Sequence, residues 1–320
     1  MESQSKIKIL VLVESLTKIK IIIVCGPTAS GKTAVCTKLA ELLPIEIISA
    51  DSRQIYRLLD IGTAKPTAEE LRAAPYHFIN ILNPDEDYSA GRFGNDAAGV
   101  VREIHARGRI PVVCGGSGLY IKALCEGLFN EGDFDSEEKK EVRESLEKRL
   151  LTDGIEQLYD ELKLCDPISA NLYEDKNPRR VIRALLHYNL TGRALSESHK
   201  NSNPVANPFD VVYYGINIER DALYAKINRR AEDMWRNGLL DEVRNVLSLG
   251  YSPTFNSLNT VGYKEAIAYL NGFCSESEAL ELMQRNTRRY AKRQMTWFSR
   301  NEKIRWLEGS LEEMASKIIF

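Results

Sequence analysis

From Gly26 to Thr33 the chain reads Gly-Pro-Thr-Ala-Ser-Gly-Lys-Thr. Two glycines separated by four residues, followed at once by lysine and a hydroxyl residue, form a pattern that cradles phosphate. Backbone N–H groups of Gly26, Thr28, Ala29, Ser30 and Gly31 are expected to face phosphate oxygens, with a helix N-terminus behind them. Lys32 would reach the terminal phosphates, and Thr33 sits where a Mg²⁺ ligand belongs. Such a loop does not name a reaction, so the groups around it matter more. Asp51 comes just after Glu46–Ser49, which reads as a short strand. It suits a metal-site carboxylate, a proton acceptor beside the phosphates, or the N-cap of a short helix, and these readings stay open. The run 110–114 ends in Cys-Gly-Gly-Ser-Gly and not in the carboxylate of a nucleotide hydrolase. Ser117, inside that turn, suits a phosphate contact or a helix cap. Arg229, Arg230 and Arg236 share one helical stretch, where an arginine can neutralise charge on a leaving phosphate.

A scaffold must bring these groups together. Ile21–Cys25, Glu46–Ser49, Tyr76–Leu82 and Ile110–Cys114 read as strands, with helices over 32–42, 88–107 and onward from Leu119. Residues 52–60 read as a short helix or turn, and Pro66 opens a helical piece to Ala73. Strand–helix alternation with short connections predicts an α/β core with a mostly parallel sheet flanked by helices. An acid just beyond a strand lies on the ligand-binding edge of such a sheet. After Gly127 the pattern changes to charged helices over 136–151, 154–164 and 178–190. A linker, 201–208, leads back to a strand at 211–218. Helices over about 220–236, 239–248, 263–271 and 276–299 follow, then a short strand at 304–307. The expected organisation is a loose extension over 1–17, a core of 18–127 with 206–320, and a helical insertion over 128–205.

The bulk numbers narrow the class. The chain has 320 residues and a formal net charge of -2. That argues against a wholly basic nucleic-acid surface but allows local patches. Six cysteines without C-x-x-C spacing fit a reducing cytosol. The four histidines form no H-E-x-x-H pattern, so no zinc site is expected. Ile9–Val13 is too short to span a bilayer and lacks a convincing leader pattern. Two basic clusters stand out against this near-neutral background. One is Arg285, Arg288, Arg289, Lys292, Arg293 and Arg300, interleaved with Tyr290, Trp297 and Phe298. The other is Lys176, Arg179, Arg180 and Arg183. Either is a solvated helix face or a stripe that meets an RNA backbone.

Taken together the motifs resemble the tRNA dimethylallyltransferases, also called tRNA isopentenyltransferases, from about Ile21 to about Trp306. The resemblance is carried by Gly26–Thr33, Asp51-Ser52-Arg53-Gln54-Ile55-Tyr56-Arg57, and Asp60-Ile61-Gly62-Thr63-Ala64-Lys65-Pro66. Gly115–Tyr120, Arg180–Leu185, Gly238–Val243, Gly262–Glu265 and Ala291–Phe298 continue it. It implies a P-loop NTPase-like core with an inserted all-helical domain. It implies transfer of a dimethylallyl group from dimethylallyl diphosphate to N6 of adenosine 37, in tRNAs reading codons that begin with U. The loop would then bind a prenyl diphosphate with Mg²⁺, not ATP. Asp51 matches the family's catalytic aspartate. Ser117, where the family usually has Thr, would flank the bridging oxygen with Arg230. Ser52, Arg53 and Gln54 would meet the turned-out base and its neighbours. Lys176, Arg179, Arg180 and Arg183 of the insertion, and Arg289, Lys292, Arg293 and Gln294 of the last long helix, would grip the anticodon stem-loop. A cytoplasmic monomer with no membrane contact and no obligate protein partner is expected.

There are departures. Glu174-Asp175-Lys176-Asn177-Pro178 stands where the family more often has Asn-Asp before the arginine. No zinc-finger extension or mitochondrial presequence is recognised, which reads as a bacterial type. The nearest rival is an enzyme that prenylates free adenylate, as in cytokinin synthesis. The insertion and the Lys292-Arg293-Gln294 region argue for RNA instead. A kinase is disfavoured by the absent carboxylate strand, and a non-enzymatic RNA binder by the retained Lys32, Thr33, Asp51, Ser117 and Arg230.

Overall fold

The computed structural model describes residues 18–127, 137–201 and 209–319. The expected extension over 1–17 and most of the linker lie outside the described residues. A first compact unit runs to Glu126 and resumes after the second unit, which spans Gly127–Ala206.

The first unit is built on a sheet in the order β3-β2-β4-β1-β5-β6, every pairing parallel. Its strands are β1 (Ile19–Cys25), β2 (Ile45–Ser49), β3 (Tyr76–His77), β4 (Ile110–Gly115), β5 (Phe209–Ile216) and β6 (Ile304–Leu307). β1 lies at the centre, with Cys25 opposite Gly115 of β4 and Gly215 of β5. Its side chains alternate between two apolar layers. Ile21, Ile23 and Cys25 enter one, and Ile22 and Val24 the other. A strand covered on both faces needs an unbroken apolar run, which is why β1 shows no polar alternation. The C-terminal ends of β1, β2 and β4 share one edge, and the phosphate loop, Asp51 and Ser117 follow from them in turn.

The helices of this unit are α1 (Lys32–Leu42), α2 (Ala68–Ala73), α3 (Ala90–Ala106) and α4 (Gly118–Glu126) before the second unit. After it come α10 (Arg220–Met234), α11 (Leu240–Ser248), α12 (Tyr263–Leu270), α13 (Glu276–Phe298) and α14 (Leu311–Ile319). Caps explain several boundaries. Thr67 and Glu70 form a capping box at α2, and Ser275 and Glu278 another at α13. Between α10 and α11 the chain winds through a wide turn, Trp235–Leu239, with a kink at Asn237-Gly238.

Some elements differ from expectation. The strand expected over 76–82 is only Tyr76–His77, because Phe78 and Asn80 take left-handed φ values of 65° and 57° and end the pairing. Of the two forms expected for 52–60, helix or turn, the chain takes turns over 52–58, with an isolated bridge from Tyr56 to Leu82. α2 begins after Pro66, where Thr67 caps it.

The second unit contains α5 (Glu137–Thr152), α6 (Gly154–Cys165), α7 (Pro167–Leu172), α8 (Pro178–Thr191) and α9 (Leu195–Asn201). Leu146, Leu158, Leu162, Val181 and Leu185 anchor its own core. Asp166, 1% exposed, ties its short helices together. The carboxylate accepts the N–H and O–H of Ser169 at 3.0 and 2.6 Å and those of Ser196 at 3.0 and 2.6 Å. Burial pushes the Asp166 carboxyl up, but these bonds outweigh it and hold the group below its usual range.

Candidate active site at the sheet edge

α1 starts directly after Gly31, so its first N–H groups point into the loop that leaves β1. Lys32 folds back and donates to Pro27 O at 2.6 Å. Loss of water lowers its pKa; the Asp51 charge raises it and the Arg230 charge lowers it. Arg230 is pushed down by desolvation in the same way and pulled back by Asp51 and Glu70. Two crowded, poorly hydrated cations that share the Asp51 carboxylate make a site that favours an added anion. Ser30 Oγ is buried with no hydrogen-bond partner among the described residues, a further group left for a ligand.

Asp51 turns one oxygen to the Arg53 N–H at 2.9 Å, a local turn and not a helix cap. Nothing among the described residues donates to its second oxygen. The Ser117 hydroxyl does not cap α4. It accepts from the Ser52 N–H at 3.1 Å, while the Ser117 main chain takes up Tyr120 and Ile121. Ala50 O in turn accepts the Ser117 N–H at 3.1 Å. Asp51 and Ser117, far apart in sequence, are thereby laced side by side. Burial and the Asp51 charge push the Tyr290 phenol up to about 12.

The structure separates the neighbouring arginines. Arg229 is 86% exposed and pairs with Asp233 one turn on. Arg230 is half-buried and electrostatically coupled to Lys32 and Asp51. It also lines a cavity of about 540 Å³ whose wall includes Ile61, Leu71, Ile79, Met234 and Lys65.

Residues expected to meet RNA fall into two groups. Arg289, Lys292 and Arg293 line an open depression of about 380 Å³ with Thr296, Trp297 and Arg300. Others turn inward. Gln54 accepts from Ser49 Oγ at 3.0 Å and donates to Thr63 O and Ala64 O at 3.3 and 3.0 Å. Arg53 donates to Asn256 O at 2.6 Å. Gln294, 7% exposed, accepts the Thr28 N–H at 2.8 Å and donates to Gly116 O at 2.9 Å. The Thr28 N–H is therefore committed to Gln294 and not open to a phosphate, whereas the reading from sequence placed it in the cradle. In the second unit, Lys176 pairs with Glu156 and Arg180 with Asp175, while Arg179 is exposed.

Groups that sequence reasoning left without a role hold the segment after Asp51. The Glu242 carboxylate accepts the N–H groups of Asp60, Ile61 and Gly62 at 2.8, 2.7 and 3.1 Å, and the Tyr263 hydroxyl at 2.6 Å. Lys65 donates to Tyr56 O and Asp60 Oδ1, both at 2.6 Å, and to Asn80. Glu242, Tyr263 and Lys65 all lie within the motif blocks, which was the available signal. No group of three or more metal-binding side chains occurs among the described residues. Among them, no helix is long and apolar enough to cross a membrane.

Fold and site define a phosphate-loop α/β protein whose sheet edge joins a carboxylate, a serine hydroxyl and half-buried cations. The IPP transferase family model matches residues 54–302, and the chain belongs to that family, in its bacterial form. It is 42% identical over 292 residues to the tRNA dimethylallyltransferase of Geobacter sulfurreducens, covering 91% of this chain and 93% of that one. It is 44% identical over 290 residues to that of Pelotomaculum thermopropionicum, covering 90% of each. The crystal structure of the tRNA isopentenylpyrophosphate transferase of Bacillus halodurans superposes with a TM-score of 0.68 at 39% identity, over 94% of both chains. A eukaryotic dimethylallyltransferase acting on tRNA gives a TM-score of 0.74 at 26% identity, over 90% of this chain and 73% of that one.

Proposed function

We propose that this enzyme transfers a dimethylallyl group from dimethylallyl diphosphate to N6 of adenosine 37 in tRNAs that read codons beginning with U. The observation that carries the reading is the meeting of Asp51, Ser117, Arg230 and Lys32 at one sheet edge, in a chain of this family.

The loop binds the diphosphate through the N–H groups at the start of α1 and through Lys32. Restoring an anion there offsets the desolvation of Lys32 and Arg230. Ser117 and Arg230 take up the charge that develops on the leaving diphosphate. The open oxygen of Asp51 orients the N6 amine and accepts its proton as the C–N bond forms. Ile61, Leu71, Ile79 and Met234 beside Arg230 offer an apolar wall suited to a short prenyl chain. Asp51 and Ser117 hold amine and leaving group in register, which replaces the entropy cost of their encounter.

The donor set fits Mg²⁺ carried on the diphosphate. Thr33 offers a hydroxyl at the helix start, and Mg²⁺ commonly takes few protein ligands beside phosphate oxygens and water. Bound there, the ion would screen the diphosphate charge. RNA is held by the exposed cations of α13, with the cations of the second unit as further contacts, and phosphate contacts set affinity.

Purified protein incubated with Mg²⁺, dimethylallyl diphosphate and unmodified tRNA should add one dimethylallyl group to adenosine 37, read by mass spectrometry of the digested nucleosides. Modification of AMP but not tRNA would replace this reading with free-nucleotide prenylation. No product from either would remove prenyl transfer altogether.

A further inference from the structure

We infer that Gln294 is a positioning residue that locks the phosphate loop to the Ser117 turn. It thereby fixes the distance between the bound diphosphate and the hydroxyl that receives its leaving charge. The inference rests on the proposed transfer reaction for its kinetic consequence, but not for its geometry.

The bracket is specific. Oε1 accepts the Thr28 N–H and Nε2 donates to Gly116 O, so the two loops are tied through one buried amide. A donor faces the oxygen and an acceptor faces the nitrogen, so only one orientation of the amide satisfies both. The contacts reach 266 and 178 residues along the chain.

Its neighbours on α13 continue the seam. Tyr290, Gln294 and Trp297 recur at spacings of four and three, on one helix face. Tyr290 lies within reach of the Asp51 charge, Gln294 bonds Gly116 and Trp297 packs on Gly118. A Cβ on Gly116 would lie 2.1 Å from Gln294 Nε2, and one on Gly118 would lie 2.1 Å from Trp297 Nε1. The glycines of the turn are therefore where α13 beds down.

This use of Gln294 differs from an RNA contact. Both ends of the amide are spent inside the protein, and a base could be read only by breaking the bracket. Exposed Lys292 and Arg293 flank it on the same turn, which is why sequence grouped the three together. Without the bracket each strand still ends where it does, but the separation of the two loops is no longer set. Misplacement by about 1 Å can cost on the order of 100-fold in rate.

The test compares Gln294→Ala and Gln294→Glu with the unaltered enzyme. Gln294→Ala should lower kcat at least tenfold and weaken inhibition by inorganic pyrophosphate several-fold. Binding of an anticodon stem-loop RNA should stay within twofold, and the Thr28 amide should exchange faster with deuterium. In Gln294→Glu, a charged carboxylate still accepts from Thr28 but cannot donate to Gly116. Its activity relative to the unaltered enzyme should rise as pH falls, because the protonated acid restores the donor. A merely structural role would not give that pH-dependent recovery. Weaker RNA binding with unchanged kcat and pyrophosphate inhibition would overturn the proposal and make Gln294 an RNA contact. If the unaltered enzyme transfers no prenyl group, the reaction reading falls. Pyrophosphate binding by direct calorimetry and Thr28 exchange then judge the bracket: weaker binding and faster exchange in Gln294→Ala support it, and no change in either overturns it.

Discussion

Two basic clusters look alike in the sequence but differ in structure. On and just beyond α13, Arg289, Lys292, Arg293 and Arg300 are exposed and have no acidic partner among the described residues, although Arg293 lies over the Tyr290 ring. In the second unit, Lys176 is held by Glu156 and lies over the Tyr159 ring, and Arg180 is held near Asp175 and over the Tyr173 ring. Like charges left together on one helix face repel one another, and an approaching polyanion relieves that repulsion. Cations already paired gain less from a phosphate, because the existing contact must be given up first. A cluster count therefore does not measure a binding surface; the number of unspent cations does.

The comparison can be broken most severely at Asp166. Asp166→Ala removes an acceptor for the donors of two short helices and should destabilise the second unit by about 2–4 kcal/mol. The effect should appear as a lower Tm and as lost stem-loop affinity if that unit presents its cations to RNA. The sign of the pH dependence is set by the depressed pKa of the folded state. Its contribution is present above the unfolded aspartate pKa and is lost as pH falls through the folded value. The stability difference between the unaltered and Asp166→Ala proteins should therefore shrink in acid, and a difference that grew in acid would contradict this account.

On α13 the expected effect is smaller but tied directly to RNA. Replacing Arg289, Lys292 and Arg293 together by alanine should weaken stem-loop binding about tenfold to hundredfold. The plot of log affinity against log salt should become shallower by about 0.7 per cation removed. An unchanged slope would make this face merely solvated. The smallest effects should sharpen the contrast within the second unit. Arg179, exposed and without an acidic partner among the described residues, should matter more than paired Arg180 or Lys176. Arg179→Ala should cost about threefold to tenfold in affinity, and Lys176→Ala and Arg180→Ala less than about twofold each, since exposed pairs contribute little. The reverse order would show that pairing does not decide which cations reach RNA.

Much of the fold was legible because it follows from local rules. The apolar runs of β1 and β4 and the periodicity of α3 and α13 signal their own states. The short elements were not legible. α7 and α9 are about two turns or less, too brief for periodicity, and α14 follows the last expected strand. The early end of β3 depends on left-handed backbone angles at Phe78, whose type disfavours them, and at Asn80, whose type tolerates them. Within the site, Lys32, Asp51 and Ser117 were visible because motif and strand end coincide. The choice of Arg230 over Arg229 came from the family resemblance alone and left the neighbour open, since adjacent helical residues differ by about 100° in direction and only packing decides which faces inward.

The sequence by itself determined the phosphate loop, the alternation that stacks its strands in parallel, and the positions of an acid and a hydroxyl at the strand ends. These follow from spacing over a few residues, where sterics and burial act locally. The tertiary structure alone decided that Gln54 and Gln294 brace loops, that Glu242 and Lys65 hold the segment after Asp51, and which cations remain unspent. Each depends on a partner brought near by folding from a distant part of the chain. An amide or ammonium group carries no local mark of whether it will meet a carbonyl of its own protein or be left to face water.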